Sequence, residues 1–226
     1  MPNTLYIGNK NYSSWSLRPW LCLKWAGIAF NEEVIHLDQP GYGEGRIAAV
    51  LAVNPAGRVP VLKTNTATIW DSLSIAEWAA EQVPQARLWP LDPRSRALAR
   101  SASAEMHSGF SAVRTHLPMN IKRRCPEQNW NAATRRDLAR LASLWSDLRQ
   151  QFAAEGPWLL GTRTIADAMF APVVARLRTY SVPLSPIVAA YSATLLADNA
   201  FLAWESDCAA NSWDRSGYSV IDGMYA

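Results

Sequence analysis

A chain of 226 residues with 49% hydrophobic content can bury a substantial core, as one large domain or two small ones. Its net charge of +3 comes from scattered Lys and Arg, and the longest basic run is Lys122-Arg123-Arg124. That is too short for a nucleic-acid footprint, which needs clustered charge that displaces counterions from phosphates. No stretch approaches the roughly 18 apolar residues of a membrane span, and MPNTLYIGNKNYSSW carries no apolar run with a cleavage site. A cytoplasmic protein that binds neither membrane nor nucleic acid is expected. Cys22, Cys125 and Cys208 are odd in number and far apart, as suits reduced thiols rather than a disulfide framework. His36, His107 and His116 form no HExxH or HxH spacing, so no metal is expected.

In chain order, Thr4 to Ile7 reads as a strand, followed by an amphipathic helix from Ser16 to Ala26 that Gly27 terminates. A strand over Glu33 to Leu37, a short helix over Glu44 to Leu51, and strands over Val59 to Lys63 and Thr66 to Trp70 come next, the last two joined by a turn at Thr64-Asn65. Ser72 to Glu81 closes this unit as a helix. The order β-α-β-α-β-β-α implies a small mixed sheet: one βαβ unit, then a hairpin leading into a helix. Three prolines in VPQARLWPLDP break the pattern, so residues 83–93 are assigned as a linker between domains at 1–82 and 94–226. Beyond it the signal is helical. Asp92 caps a helix with Pro93 in its first position, and Leu138, Leu141, Trp145, Leu148 and Phe152 recur along one face of a segment from Ala132 to Ala154. Trp145, Trp158 and Trp204 are expected to fill the core of this all-α half.

Four short motifs carry chemistry or capping. Asn11-Tyr12-Ser13-Ser14-Trp15-Ser16 lies between the first strand and the first helix, where a serine either caps the helix or joins its positive end in stabilising an anion. Val59-Pro60 stands where a strand begins, and a cis bond there would offer the Val59 N–H and C=O to an extended peptide. Asp71-Ser72 lies at a strand–helix junction. As structure alone either residue caps the helix; as a site, Ser72 and the free N–H groups suit an α-carboxylate and Asp71 an α-ammonium group. Thr164-x-x-Asp167 matches a capping box, a folding element. His107, Phe110 and Arg114, spaced by three and four, are expected on one face of a helix.

The order and spacing of these motifs, with NPAGRVPVL and DSLSIAEW, resemble the cytosolic glutathione transferase family over nearly the whole chain. The resemblance implies an α/β thioredoxin-like N-terminal domain, an all-α C-terminal helical bundle, a homodimer, and glutathione as cosubstrate. By the same resemblance Val59, beside Pro60, pairs with the cysteinyl backbone of glutathione. Asp71 and Ser72 hold its γ-glutamyl end, and Ser13 donates a hydrogen bond to the sulfur, with Ser14 the second candidate. The thiolate would attack a small hydrophobic or conjugated electrophile held by His107, Phe110, Arg114 and Arg176, with the aromatic tail of Trp213, Tyr218 and Tyr225 able to cover the same cleft. Ser13-Ser14-Trp15-Ser16-Leu17-Arg18 is similar to the serine motif of the zeta class, which includes maleylacetoacetate isomerases. Trp15 replaces that motif's cysteine, and Thr179 aligns with its substrate-binding arginine, with Arg176 one turn earlier. An isomerase of that type and a non-catalytic interaction module are the alternatives. A thiol oxidoreductase is disfavoured because Cys22 lies about two turns too far into the first helix.

Overall fold

The structure, a computed structural model, describes residues 2–37, 41 and 43–210. Four strands form one sheet in the order β2-β1-β3-β4. β1 (Asn3–Ile7) runs parallel to β2 (Phe30–Val34), with Asn3 opposite Phe30 and Ile7 opposite Val34. β3 (Val61–Lys63) is antiparallel to β1 with Leu62 opposite Leu5, and β4 (Thr68–Trp70) pairs with β3. The element order matches the sequence reading, but β2 stops three residues short of Leu37. Its partner β1 ends at Ile7, whose carbonyl accepts one last bond from Ile35. Leu37, apolar in sequence, instead turns to line a cleft. β3 and β4 begin two residues later than expected, and Thr64 closes their turn by accepting from the Ala67 N–H at 2.9 Å.

α1 (Ser14–Trp25) starts two residues earlier than expected, which leaves Pro19 inside the helix rather than in its first turn. Gly27, at φ 68°, ends it as anticipated. α2 shrinks to Ala48–Leu51, because Gly43 and Gly45 ahead of it take φ of 79° and 71°, conformations no right-handed helix contains. α3 (Ser72–Gln82) completes this half, and a single 3₁₀ turn at Pro84–Ala86 occupies the proline-rich stretch.

The remainder is helical: α4 (Pro93–Ser108), α5 (Ser111–His116), α6 (Ala132–Phe152), α7 (Ile165–Thr179), α8 (Pro186–Leu196) and α9 (Asn199–Ala210). Asp92 caps α4 by accepting from the Ser95 N–H at 2.8 Å. His107, Phe110 and Arg114 do not share one helix, contrary to the sequence reading. The chain turns out of α4 at Gly109, where a Cβ would lie 2.7 Å from the Glu105 carbonyl, and Phe110 takes φ 58° before α5 begins.

Hydrophobic burial joins the two halves. Leu5, Ile7, Leu17 and Ile75 belong to the same buried cluster as Met106, Trp145, Phe170 and Val173. α7 is buried along nearly its whole length, and α1 packs against α3, α7 and α9. α7 begins at the expected capping box. Thr164 donates its N–H and Oγ–H to Asp167 Oδ2 at 2.8 and 3.1 Å, while the Leu159 N–H donates to Oδ1 at 3.1 Å. Burial pushes the Asp167 carboxyl up to about 6, and these hydrogen bonds oppose that shift.

Asp167→Ala leaves buried donors on Thr164 and Leu159 unmet. It is expected to lower the unfolding free energy by about 2 kcal/mol or more in urea titration.

Candidate functional site

The loop from Gly8 to Ser13 is polar yet largely buried, so its shape must come from hydrogen bonds. The Asn9 carbonyl accepts from the N–H groups of Tyr12 and Ser13 at 3.2 and 2.8 Å. Asn11 reaches the helical half: its Nδ2 donates to Asn120 Oδ1 at 2.9 Å and its Oδ1 accepts from the Lys122 N–H at 3.0 Å. Between them, Lys10 Nζ lies 2.5 Å from both Glu32 and Asp207, and its carbonyl accepts from Trp204 Nε1 at 2.9 Å. This anchoring delivers Ser13 to the start of α1. Although Ser13 occupies the N-cap position, its side chain caps nothing; Oγ lies instead 2.7 Å from Ser16 Oγ.

Ser13 opens into a cleft of about 660 Å³ between the sheet half and the helical half. Ser13, Ser14, Val59, Pro60, Asp71, Ser72, Arg114 and Arg176 all line it. The Val59–Pro60 bond is cis, the point the sequence left open. Asp71 takes φ 76° at the N-cap of α3, a strained conformation of the kind that gathers at functional sites. Its Oδ1 accepts from the N–H groups of Leu73 and Ser74 at 2.8 and 3.4 Å. The capping reading of Asp71 therefore holds, while its Oδ2 lies 3.3 Å from His107 Nε2. Ser72 Oγ is buried with no partner among the described residues.

Two expected electrophile contacts sit elsewhere. His107 stands behind Asp71 and meets the edge of Trp15, ring centroids 5.3 Å apart, and Phe110 is buried in the core. The aromatic tail of Trp213, Tyr218 and Tyr225 lies outside the described residues.

Sequence reasoning missed Arg18. It is completely buried on α1, and its Nε and both terminal nitrogens have no hydrogen-bond partner among the described residues. Arg114 Nη1 and the Nε and Nη1 of Arg176 are equally unpartnered. The Trp15 ring lies beneath two of these cations, with guanidinium carbons 4.4 Å (Arg18) and 4.9 Å (Arg114) from its centroid. Burial, with Arg114 and Arg176 adding repulsion, drives the Arg18 guanidinium well below the usual arginine range, and Asp71 offsets only part of it. Burial likewise pushes Arg176 down to about 9. Desolvated guanidinium groups with open donors match a carboxylate.

Cys22, Cys125 and Cys208 are unpaired and buried, and burial raises the Cys22 thiol far above the reactive range. Among the described residues no His, Cys, Asp or Glu cluster of three or more is placed to hold a metal ion. No single helix among them is long and apolar enough to cross a membrane.

Comparison with known proteins agrees with this geometry. Residues 12–82 match the family model "Glutathione S-transferase, N-terminal domain" and residues 128–209 match "Glutathione S-transferase, C-terminal domain". The chain is 30% identical over 183 residues to the maleylacetoacetate isomerase of Rattus norvegicus, covering 80% of this chain and 81% of that one. Among solved structures, it resembles a glutathione transferase homolog from Burkholderia GL BGR1 with bound glutathione, with a TM-score of 0.72 at 24% identity over 93% of this chain and 100% of that one. It also resembles a holo maleyl pyruvate isomerase, a bacterial zeta-class glutathione S-transferase, with a TM-score of 0.66 at 23% identity over 94% and 100% of the two chains.

Arg18 is a buried cation that the fold itself does not neutralise. Arg18→Met keeps its length and removes the charge, and is expected to raise the unfolding free energy of the ligand-free protein by about 1–3 kcal/mol. Urea denaturation of both proteins measures the difference, and a destabilised variant would contradict this account of the residue.

Proposed function

This chain belongs to the glutathione S-transferase family, and we propose that it generates the thiolate of glutathione at Ser13 and directs it onto a small conjugated electrophile carrying a carboxylate. In this reading residues 1–82 form the glutathione-binding domain, 83–93 the linker and 94–226 the electrophile domain of a cytoplasmic homodimer. Glutathione lies along the cleft with its cysteinyl backbone against Val59 beside Pro60. Its α-ammonium pairs with Asp71, and its γ-glutamyl carboxylate takes the hydroxyl and the N–H of Ser72, since Asp71 already holds the next two N–H groups of α3. The sulfur meets the hydroxyl of Ser13, with Ser14 as the neighbouring alternative. A free thiol has pKa about 8.5, so a two-unit drop corresponds to about 2.7 kcal/mol of thiolate stabilisation, within reach of a hydroxyl at a helix N-terminus.

The observation that carries the electrophile class is a group of three guanidiniums, Arg114 and Arg176 lining the cleft and Arg18 buried against Trp15, each with buried nitrogens that have no hydrogen-bond partner among the described residues. Within the sequence expectation of a small hydrophobic or conjugated electrophile, it favours a conjugated one that carries an anionic group. The thiolate attacks a carbon conjugated to a carbonyl, and the developing negative charge grows toward the arginines.

A second reading, isomerisation of the maleylacetoacetate type, is favoured by the relative of that name. The thiolate adds to a carbon–carbon double bond, the displaced electron pair moves onto the conjugated carbonyl oxygen, and the new single bond rotates. Collapse of the enolate then expels the thiolate. Arg176 would hold the substrate carboxylate in place of Thr179, whose hydroxyl is occupied with the Asn120 and Ala175 carbonyls at 2.8 and 2.9 Å.

A carboxylate-bearing Michael acceptor and its methyl ester distinguish these statements. Wild type is expected to prefer the acid at least tenfold in kcat/KM, as a charge-assisted contact allows. Arg176→Met should erase that preference, while Ser13→Ala slows both substrates. An ester that reacts as well as the acid refutes the anionic class. No glutathione binding at millimolar concentration would leave the non-catalytic module as the reading.

A further inference from the structure

We propose that Ser16 is a positioning residue for thiolate formation: it holds Ser13 Oγ and forces the Ser13 proton toward the glutathione sulfur. The inference rests on Ser13 being the thiol contact, and it supplies what that reading lacks, a reason for the proton to point into the cleft.

Ser16 lies in the first turn of α1 and is fully buried. Its Oγ accepts from the Gly8 N–H at 3.1 Å and lies 2.7 Å from Ser13 Oγ. Across a hydroxyl pair either oxygen can donate, but each hydroxyl has one proton. The Gly8 N–H already occupies a lone pair of Ser16, so the Ser16 proton needs an acceptor. Ser13 Oγ is its only hydrogen-bond partner for that purpose among the described residues, and a buried proton without one is costly. Ser16 therefore donates and Ser13 accepts. Ser13 is half-buried at the cleft wall, and its own proton is left to point into the cleft. The chain Gly8 N–H to Ser16 to Ser13 to sulfur runs in one direction, and each bond polarises the next.

Gly8 fixes the first link. A Cβ there would lie 2.6 Å from Leu37 Cδ1 and 3.2 Å from Ser13 Oγ, so any side chain at Gly8 would push on Leu37 and crowd Ser13. Among the described residues no comparable relay reaches Ser14.

The test follows the absorbance of the bound glutathione thiolate against pH in wild type, Ser13→Ala, Ser16→Ala and the double variant. Ser16→Ala is expected to raise the thiol pKa by about one unit, less than Ser13→Ala does. The double variant should match Ser13→Ala alone, because the relay acts only through Ser13. At neutral pH kcat falls with little change in the KM for glutathione, and the deficit closes once pH exceeds the raised pKa.

If the alanine cavity harms folding, Ser16→Thr and Ser16→Val share one shape and differ by the hydroxyl; Thr should stay near wild type and Val should shift. A thiol pKa moved by Ser13→Ala but not by Ser16→Ala or Ser16→Val overturns the relay and leaves the Ser13 reading standing. A pKa unmoved by Ser13→Ala removes both.

Discussion

The site depends on how the loop Asn9-Lys10-Asn11 is held, because these three polar residues are buried and nothing apolar could shape them. Lys10 is the centre of that hold. Its ammonium lies between Glu32 and Asp207 and 5.1 Å from the rings of both Trp20 and Trp204. A buried charge without its partners would cost several kcal/mol, so the loop has one low-energy position. That position fixes Asn9, whose carbonyl gathers the turn, and Asn11, which fastens it to the helical half. Ser13 inherits its placement from contacts that are not catalytic.

The arginines around Trp15 follow the reverse logic. Arg18 makes no side-chain hydrogen bond among the described residues, Arg114 keeps Nη1 and Arg176 keeps Nε and Nη1 unpartnered, and a tryptophan face lies beneath Arg18 and Arg114. Trp15 attracts cations without consuming their hydrogen-bond donors, so it gathers the Arg18 and Arg114 guanidinium groups without pairing their nitrogens. A carboxylate in its place would have satisfied the arginines and closed the site to anions. Stability and recognition therefore pull against each other at Arg18.

Much of the plan was legible in the sequence because turn and cap chemistry is local. Gly27, Asp92-Pro93 and Thr164-x-x-Asp167 each mark a boundary through the conformation or hydrogen bond it requires. Strand ends were less legible, since β2 is terminated by the length of β1, a partner distant in sequence. His107, Phe110 and Arg114 have helical spacing, and only the backbone at Gly109 and Phe110 separates them. Arg18 and Ser16 were missed for one reason. α1 is covered on nearly every side, so it has no polar face against which a buried charge or hydroxyl would stand out. Even so, an arginine four residues from Ser14, in a helix that Leu17 and Leu21 show to be core, was the available signal.

The tie from Lys10 to Asp207 spans 197 positions. During synthesis Lys10 emerges long before Trp204 and Asp207, two of the groups that hold it. The sheet half cannot complete its core alone, since its apolar face is closed by helices from the other end of the chain. A nascent chain therefore exposes the α1 surface for most of its translation, and closing such distant contacts is slow. The loop beside Ser13 gains these contacts only once α9 has docked, so truncation within α9 is expected to loosen a loop nearly 200 positions away.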